Sequence, residues 1–312
     1  MRFNSCLLLT EGAHGMISQV EGLAKALGIN FKHCNVNLKS FWKKIPINFV
    51  PVRRGVVSDD LPNLTEPTLL ISCGKNSIIS SLILKKENPN HFNIHIQNPK
   101  IDFSKFDLVV APEHDQIQGE NVISTFGALH YLTKDEILNS SNYFKNIKDG
   151  NKIVTLILGG PNRYYEFSNL DLEKIFLQIQ KIFLDNNFSL IIIASRRTPP
   201  SSIDFAKNYF LDKATIVSEV SKEAYLSSLK ISNYLIVTCD STSMISECAI
   251  TQKPIFVGMM KPLRANKRFQ YFFDSFKAKG ITRDLGDKIE TWSYTALEET
   301  NRIGKIIKER LK

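Results

Sequence analysis

Three short stretches in the second half of this 312-residue chain combine residue types and spacings suited to holding a ligand. The run Tyr234-Leu-Ile-Val-Thr-Cys-Asp240-Ser241-Thr242-Ser243-Met-Ile-Ser246-Glu247 passes from β-branched residues into small hydroxyl residues. A helix starting there aims free N–H groups and side-chain hydroxyls at an anion such as a diphosphate. Glu247, about one turn further in, could accept from both hydroxyls of a ribose. The plainer alternative is an ordinary helix start capped by Asp240 or Ser241, with Ser246 and Glu247 facing solvent. Gly159 and Gly160 follow another apolar run, and paired glycines allow a ligand close to the backbone. Ser195-Arg196-Arg197-Thr198-Pro199-Pro200 follows a third and places two guanidinium groups, suited to bidentate phosphate contact, at a strand end. The alternative is a surface loop held by its prolines. In the first half His14, His114 and Asp115 are the natural candidates for a general base, although a lone loop histidine is more often a hydrogen-bonded structural group.

Several other chemistries lack their residues. The first loop, Thr10-Glu11-Gly12-Ala13-His14-Gly15, has the wrong spacing for G-x-G-x-x-G, which disfavours nicotinamide and flavin binding. Gly74-Lys75-Asn76 lacks the remaining residues of a P-loop, and no G-x-S-x-G is present. His91 and His95 have the spacing of helical zinc ligands, but in an extended stretch four residues separate side chains by ~13 Å. No metal and no cofactor are expected.

The elements that must position these residues alternate in type. Strands are predicted at Ser5–Leu9, Phe31–Cys34, Thr68–Ser72, Phe92–Gln97, Leu108–Ala111 and Val122–Thr125, with helices over Ile17–Leu27 and Asn76–Lys85. A capping box, Thr133 with Glu136, opens an expected helix over Leu132–Asn146. The polar stretch 146–151 reads as a linker, dividing the chain into domains 1–148 and 149–312. The pattern then restarts. Strands are expected at Ile153–Leu158, Leu190–Ala194, Thr215–Val217, Tyr234–Val237 and Pro254–Val257. Helices are expected over Leu170–Leu184, Ile203–Phe210, Glu223–Lys230, Ser243–Thr251 and Ser293–Leu311. Strand and helix alternation of this kind predicts an α/β fold of two Rossmann-like, doubly wound domains, with ligands beyond the carboxyl ends of the strands.

Composition narrows the partners. Hydrophobic residues at 43% and charged residues at 23% describe a folded globular protein. No apolar run approaches the roughly 18 residues needed to span a bilayer, and Cys6–Leu9 is too short for a signal peptide core. Five widely spaced cysteines, without Cys-x-x-Cys, read as reduced thiols in a cytoplasm. The net charge of +9 invites an anionic partner but does not select one.

Together, Gln97-Asn-Pro-Lys, Phe106–Asp115, Gly127-Ala-Leu-His130, Gly159-Gly-Pro161, Ser195-Arg-Arg-Thr-Pro199 and Val237–Glu247 resemble the mitochondrial-fission, elongated-mitochondria-like family over almost the whole chain. The resemblance implies a fold similar to the GT-B glycosyltransferases, with two Rossmann-like domains facing a cleft and the last helix returning to the first domain. Ser246-Glu247, with Pro254 seven residues after the glutamate, is also similar to the donor signature of the enzyme that adds N-acetylglucosamine to the cell-wall lipid. That similarity implies a ribose on Glu247 and a diphosphate on the helix start, although the hydroxyl stretch here is one residue shorter and lacks the glycine. His14 is loosely like the base-bearing loop of that enzyme. What the resemblance implies is a metal-independent transferase that takes a nucleotide-sugar donor, with Arg196 or Arg197 stabilising the departing diphosphate. The other implied role is a non-catalytic adaptor docking on a protein or a membrane. Nucleic acid is not an expected partner; a cytoplasmic location, or a peripheral one at the inner face of the membrane, is.

Overall fold

A computed structural model describes residues 3–147 and 150–312. The chain forms two compact units, one from residues 1–131 with 298–312 and one from residues 132–297. The expected boundary at 148/149 lies outside the described residues.

In the first unit the elements run β1 (Cys6–Thr10), α1 (His14–Leu27), β2 (Phe31–Asn35), α2 (Ser40–Lys43), β3 (Leu69–Cys73), α3 (Lys75–Glu87), β4 (Phe92–Ile96), β5 (Leu108–Pro112) and β6 (Val122–Thr125). All six strands are parallel in the order β2-β1-β3-β4-β5-β6. The central strands are buried on both faces, which is why their sequences are continuous apolar runs rather than alternating ones. One polar pair sits within them. Ser72 and His95 are register partners on β3 and β4, and the Ser72 hydroxyl lies 2.9 Å from His95 Nδ1.

The second unit contains α4 (Lys134–Leu138), β7 (Ile153–Leu158), α5 (Asn169–Ile182), β8 (Ser189–Ala194), α6 (Pro200–Phe210), β9 (Ala214–Val217), α7 (Lys222–Ile231), β10 (Tyr234–Thr238), α8 (Thr242–Cys248), β11 (Ile255–Gly258), α9 (Lys267–Ala278) and β12 (Thr282–Asp284). Its parallel sheet has the order β12-β11-β10-β7-β8-β9. Aromatic rings fill its core: Phe176 packs against Phe205 and Phe210, and Phe183 against Tyr234 and Phe256.

The helix expected over Leu132–Asn146 is confined to α4. Its capping box is present, but the run Asn139-Ser140-Ser141-Asn142 follows at once, and such side chains compete for the backbone; the Ser140 hydroxyl donates to the Ile137 carbonyl. The last helix, α10 (Glu299–Arg310), starts six residues later than its expected start at Ser293. Helix α9 and strand β12 were not anticipated, although Phe269, Phe272, Phe273 and Phe276 carry the helical spacing plainly.

Helix α10 packs on α1 in the first unit. Gly304 makes the approach close, since a Cβ there would stand 2.7 Å from the Ala26 Cβ. Gly304→Leu is expected to lower the unfolding free energy by about 1–3 kcal/mol, because overpacking outweighs the gain in helix propensity. Urea denaturation of the two proteins checks this.

Candidate functional site

In an open α/β sheet, the crevice for a ligand opens beyond the carboxyl ends of the strands where the winding order reverses. In the second unit that reversal falls between β7 and β10. The loops leaving these two strands are those that carry Gly159-Gly160 and Asp240.

Asp240 joins them. Its buried carboxylate accepts from the Thr238 hydroxyl (2.7 Å), the Gly160 N–H (3.0 Å) and Arg197 Nη2 (2.6 Å). Arg197 Nη1 also donates to the Gly160 carbonyl at 2.9 Å, so one guanidinium spans two loops. Ser195 and Thr198 donate to the Gly159 carbonyl at 3.0 and 2.6 Å, and Asn162 Nδ2 donates to the Asp240 carbonyl at 3.1 Å. Three strand-end loops, after β7, β8 and β10, are thereby fixed to one another. Burial pushes the Asp240 carboxyl upward, opposed by Arg197 and by the bonds from Thr238 and Gly160.

The contacts give several sequence candidates a structural task. The space above Gly159 is taken by the Asp240 carboxylate and that above Gly160 by the Arg197 carbonyl, with which a Cβ would collide. Arg197 is engaged with Asp240; Arg196 beside it is exposed. Asp240 is not the cap of α8. Ser241 is, accepting from the Met244 N–H.

Along α8, Thr242 and Ser243 are half-buried, and Ser246 is buried with its hydroxyl donating to the Thr242 carbonyl at 2.8 Å. Ser243 lies four residues before Glu247, on the same helical face. Tyr225 from α7 donates its hydroxyl to Glu247 Oε2 at 2.9 Å. Burial pushes the Glu247 carboxyl up to about 7, against the weaker pull of that hydrogen bond.

The first unit has a comparable junction at its own reversal, between β1 and β3. There Glu11 accepts from the Asn76 N–H (2.8 Å) and from Asn76 Nδ2 (2.9 Å), so a carboxylate of the chain itself occupies the start of α3. Of the candidate bases, His14 opens α1, is exposed and meets the Tyr131 ring edge-on. His114 is buried on the 3₁₀ turn after β5, and Asp115 beside it accepts from the Asn98 N–H at 3.2 Å. His14 stands at the end of β1, whereas His114 and Asp115 follow β5, so the three arise from separate strand ends.

Sequence reasoning gave no role to Thr238, Asn162, Tyr225 or Glu11. Asn162 lies within a stretch already of interest, and Thr238 ends a recognisable strand. Tyr225 and Glu11 act over long sequence separations and leave no local signal. Among the described residues, no group of three or more His, Cys, Asp or Glu side chains could hold a metal ion, and no helix is long and apolar enough to cross a membrane.

The chain resembles known proteins over most of its length. A Rickettsia prowazekii protein, "Uncharacterized protein RP120", is 25% identical over 94% of this chain and 95% of its own length. The Arabidopsis thaliana mitochondrial fission protein ELM1 is 25% identical over 78% of this chain and 64% of its own. Among solved structures, the S. aureus MnaA–UDP co-structure superposes with a TM-score of 0.57 at 16% identity, covering 98% of this chain and 89% of that one. The Methanocaldococcus jannaschii UDP-GlcNAc 2-epimerase, in complex with UDP-GlcNAc and UDP, gives 0.55 at 12% identity, covering 98% and 99%. At such identities the likeness shows the fold, which is the GT-B-like pair of Rossmann-type units. The family model described as Mitochondrial fission ELM1 matches residues 14–311, nearly the whole length, and the chain belongs to this family.

Proposed function

We propose that the second unit binds a nucleoside diphosphate sugar beyond the carboxyl ends of β7 and β10, and that the protein transfers the sugar to an acceptor hydroxyl without a metal ion. The observation that carries this reading is Glu247. Its carboxyl is held up at about 7, so at neutral pH the fold keeps an ionisable group that costs it stability. A group retained at such a cost, on the helix leaving the strand where the winding reverses, has the properties of a ligand contact. Its ionised form would accept from the two ribose hydroxyls, with Ser243 one turn nearer the strand. The Asp240 hub fixes the loops around it, and Arg196 supplies an exposed cation for the diphosphate. The solved neighbours with UDP or UDP-GlcNAc bound support the same ligand class. His14, His114 and Asp115 are the candidates for the base that deprotonates the acceptor.

Glu247→Gln separates a ligand contact from a structural one. Titration calorimetry with UDP-sugars is expected to show affinity weakened about 10- to 100-fold, the loss of charge-assisted hydrogen bonds. Binding to the unsubstituted protein should strengthen as pH rises from 6 to 8, because the accepting carboxylate forms over that range. Equal affinity in both proteins would discard Glu247. Failure of the folded protein to bind any nucleotide would discard the donor site and favour the adaptor role.

A further inference from the structure

The connection from β2 to β3 contains a stretch whose surface chemistry the nucleotide reading does not use. Between Val36 and Ser58 there are five cations, Lys39, Lys43, Lys44, Arg53 and Arg54, and no acidic residue. Among the described residues only Arg54 of these five is tied to a carboxylate, that of Glu87 at 2.7 Å, so four cations remain in an acid-free stretch.

The same stretch exposes two large apolar side chains, Phe41 at 66% and Phe49 at 70%. They are held out by the packing of their neighbours. Ile47 and Val50 are buried in the first unit's core, and Trp42 and Ile45 pack against it, with the Phe41 ring standing edge-on to Trp42. Lys75 Nζ, from the start of α3, donates to the carbonyls of Lys43 and Ile45 and pins the backbone between the two phenylalanines. Single exposed apolar residues are unremarkable on any surface. Two rings presented by a fixed backbone among cations that have no ion-pair partner among the described residues are the composition of a segment that lies in a lipid headgroup region.

We infer that the Lys39–Arg53 segment docks the protein on an anionic phospholipid surface, with Phe41 and Phe49 entering the headgroup layer and Lys39, Lys43, Lys44 and Arg53 facing the lipid phosphates. Each cation near such a surface contributes roughly a fivefold increase in partitioning, and each inserted ring roughly tenfold. The inference stands apart from the nucleotide reading, since its test contains no nucleotide.

The test is co-sedimentation of the full chain with vesicles of phosphatidylcholine, pure or mixed with phosphatidylglycerol, at physiological ionic strength. The expected result is binding to the mixed vesicles and little to the pure ones. Phe41→Ser with Phe49→Ser should weaken that binding at least tenfold, and Lys43→Glu with Lys44→Glu at least as much, with unchanged thermal melts because all four side chains are exposed. Lys145→Glu with Lys181→Glu, an exposed pair in the second unit, should change it little. Three outcomes would each overturn the inference: no binding to the mixed vesicles, equal loss from the control pair, or binding that salt removes and the phenylalanine pair does not affect. So would a phenylalanine-dependent affinity for single-stranded oligonucleotides without one for vesicles, since stacked bases would then be the occupant.

Discussion

Asp240→Ala is expected to lower the unfolding free energy by about 2–5 kcal/mol, because it leaves buried hydrogen-bond donors without their acceptor. The carboxylate is fully enclosed and serves donors from the end of its own strand and from the loops after β7 and β8, so its loss leaves the buried Gly160 N–H without its acceptor and the Thr238 hydroxyl without an acceptor for its proton. Each such orphan costs about 1–3 kcal/mol. Arg197 is treated more gently by the same change, because its partly exposed guanidinium can turn to water. Arg197→Ala leaves the Asp240 carboxyl with the Thr238 and Gly160 donors and able to take up a proton, so it should cost less than Asp240→Ala. That ordering is informative because burial already pushes the Asp240 carboxyl upward, so the charge itself does not stabilise the fold. Urea denaturation of the three proteins decides the matter. A loss below 1 kcal/mol for Asp240→Ala, or a larger loss for Arg197→Ala, would remove Asp240 as the hub of these loops.

A second large effect is expected from pH. His95 is buried on β4 beside Ser72 of β3, and burial pushes its imidazole down to about 3 from an ordinary value of 6.5. In the unfolded chain it takes up a proton as pH falls below 6.5, while in the fold it stays neutral. Stability is therefore fully present above 6.5 and falls as pH drops toward 3, by roughly 3–5 kcal/mol in all. Glu247 acts with the opposite sign. Its folded value of about 7 exceeds the ordinary 4.5, so the fold holds the extra proton between those values and loses up to about 3 kcal/mol as pH rises through them.

The two trends overlap between about pH 4.5 and 6.5 and partly cancel in the unsubstituted protein. Substitution should unmask them. Stability of His95→Gln, followed by urea denaturation at successive pH values, is expected to fall less steeply on acidification than that of the unsubstituted chain. Glu247→Gln should fall more steeply, and should be the more stable of the two Glu247 forms at pH 8. Parallel curves for all three proteins would show that neither side chain titrates as its surroundings imply. If Glu247→Gln is at once more stable at pH 8 and weaker in UDP-sugar binding, the glutamate is kept for its ligand and not for the fold.

By itself the sequence determined most of the strands and helices, and hence the class of fold. Ile153–Leu158 and Leu190–Ala194 are unbroken β-branched or apolar runs, and only a strand buried on both faces of a parallel sheet accommodates such runs. It also placed Gly159, Ser195, Arg197 and Asp240 at strand ends, because turns and apolar runs are local properties that neighbouring residues set. The same periodicity is present in α9, which was not anticipated although its four phenylalanines share one face.

Tertiary structure alone decided what those residues touch. Arg197 reads as a free phosphate-binding cation until Asp240, 43 residues away, takes its guanidinium. Gly160 reads as an approach for a ligand until the Arg197 backbone fills that space. Tyr225 on Glu247 and Glu11 at the start of α3 likewise join residues 22 and 65 positions apart. The order of the strands brings such pairs together, and that order follows from the packing of whole helices across the sheet. Short-range spacing fixes which face of an element is apolar; it carries no record of which distant loop will lie beside it.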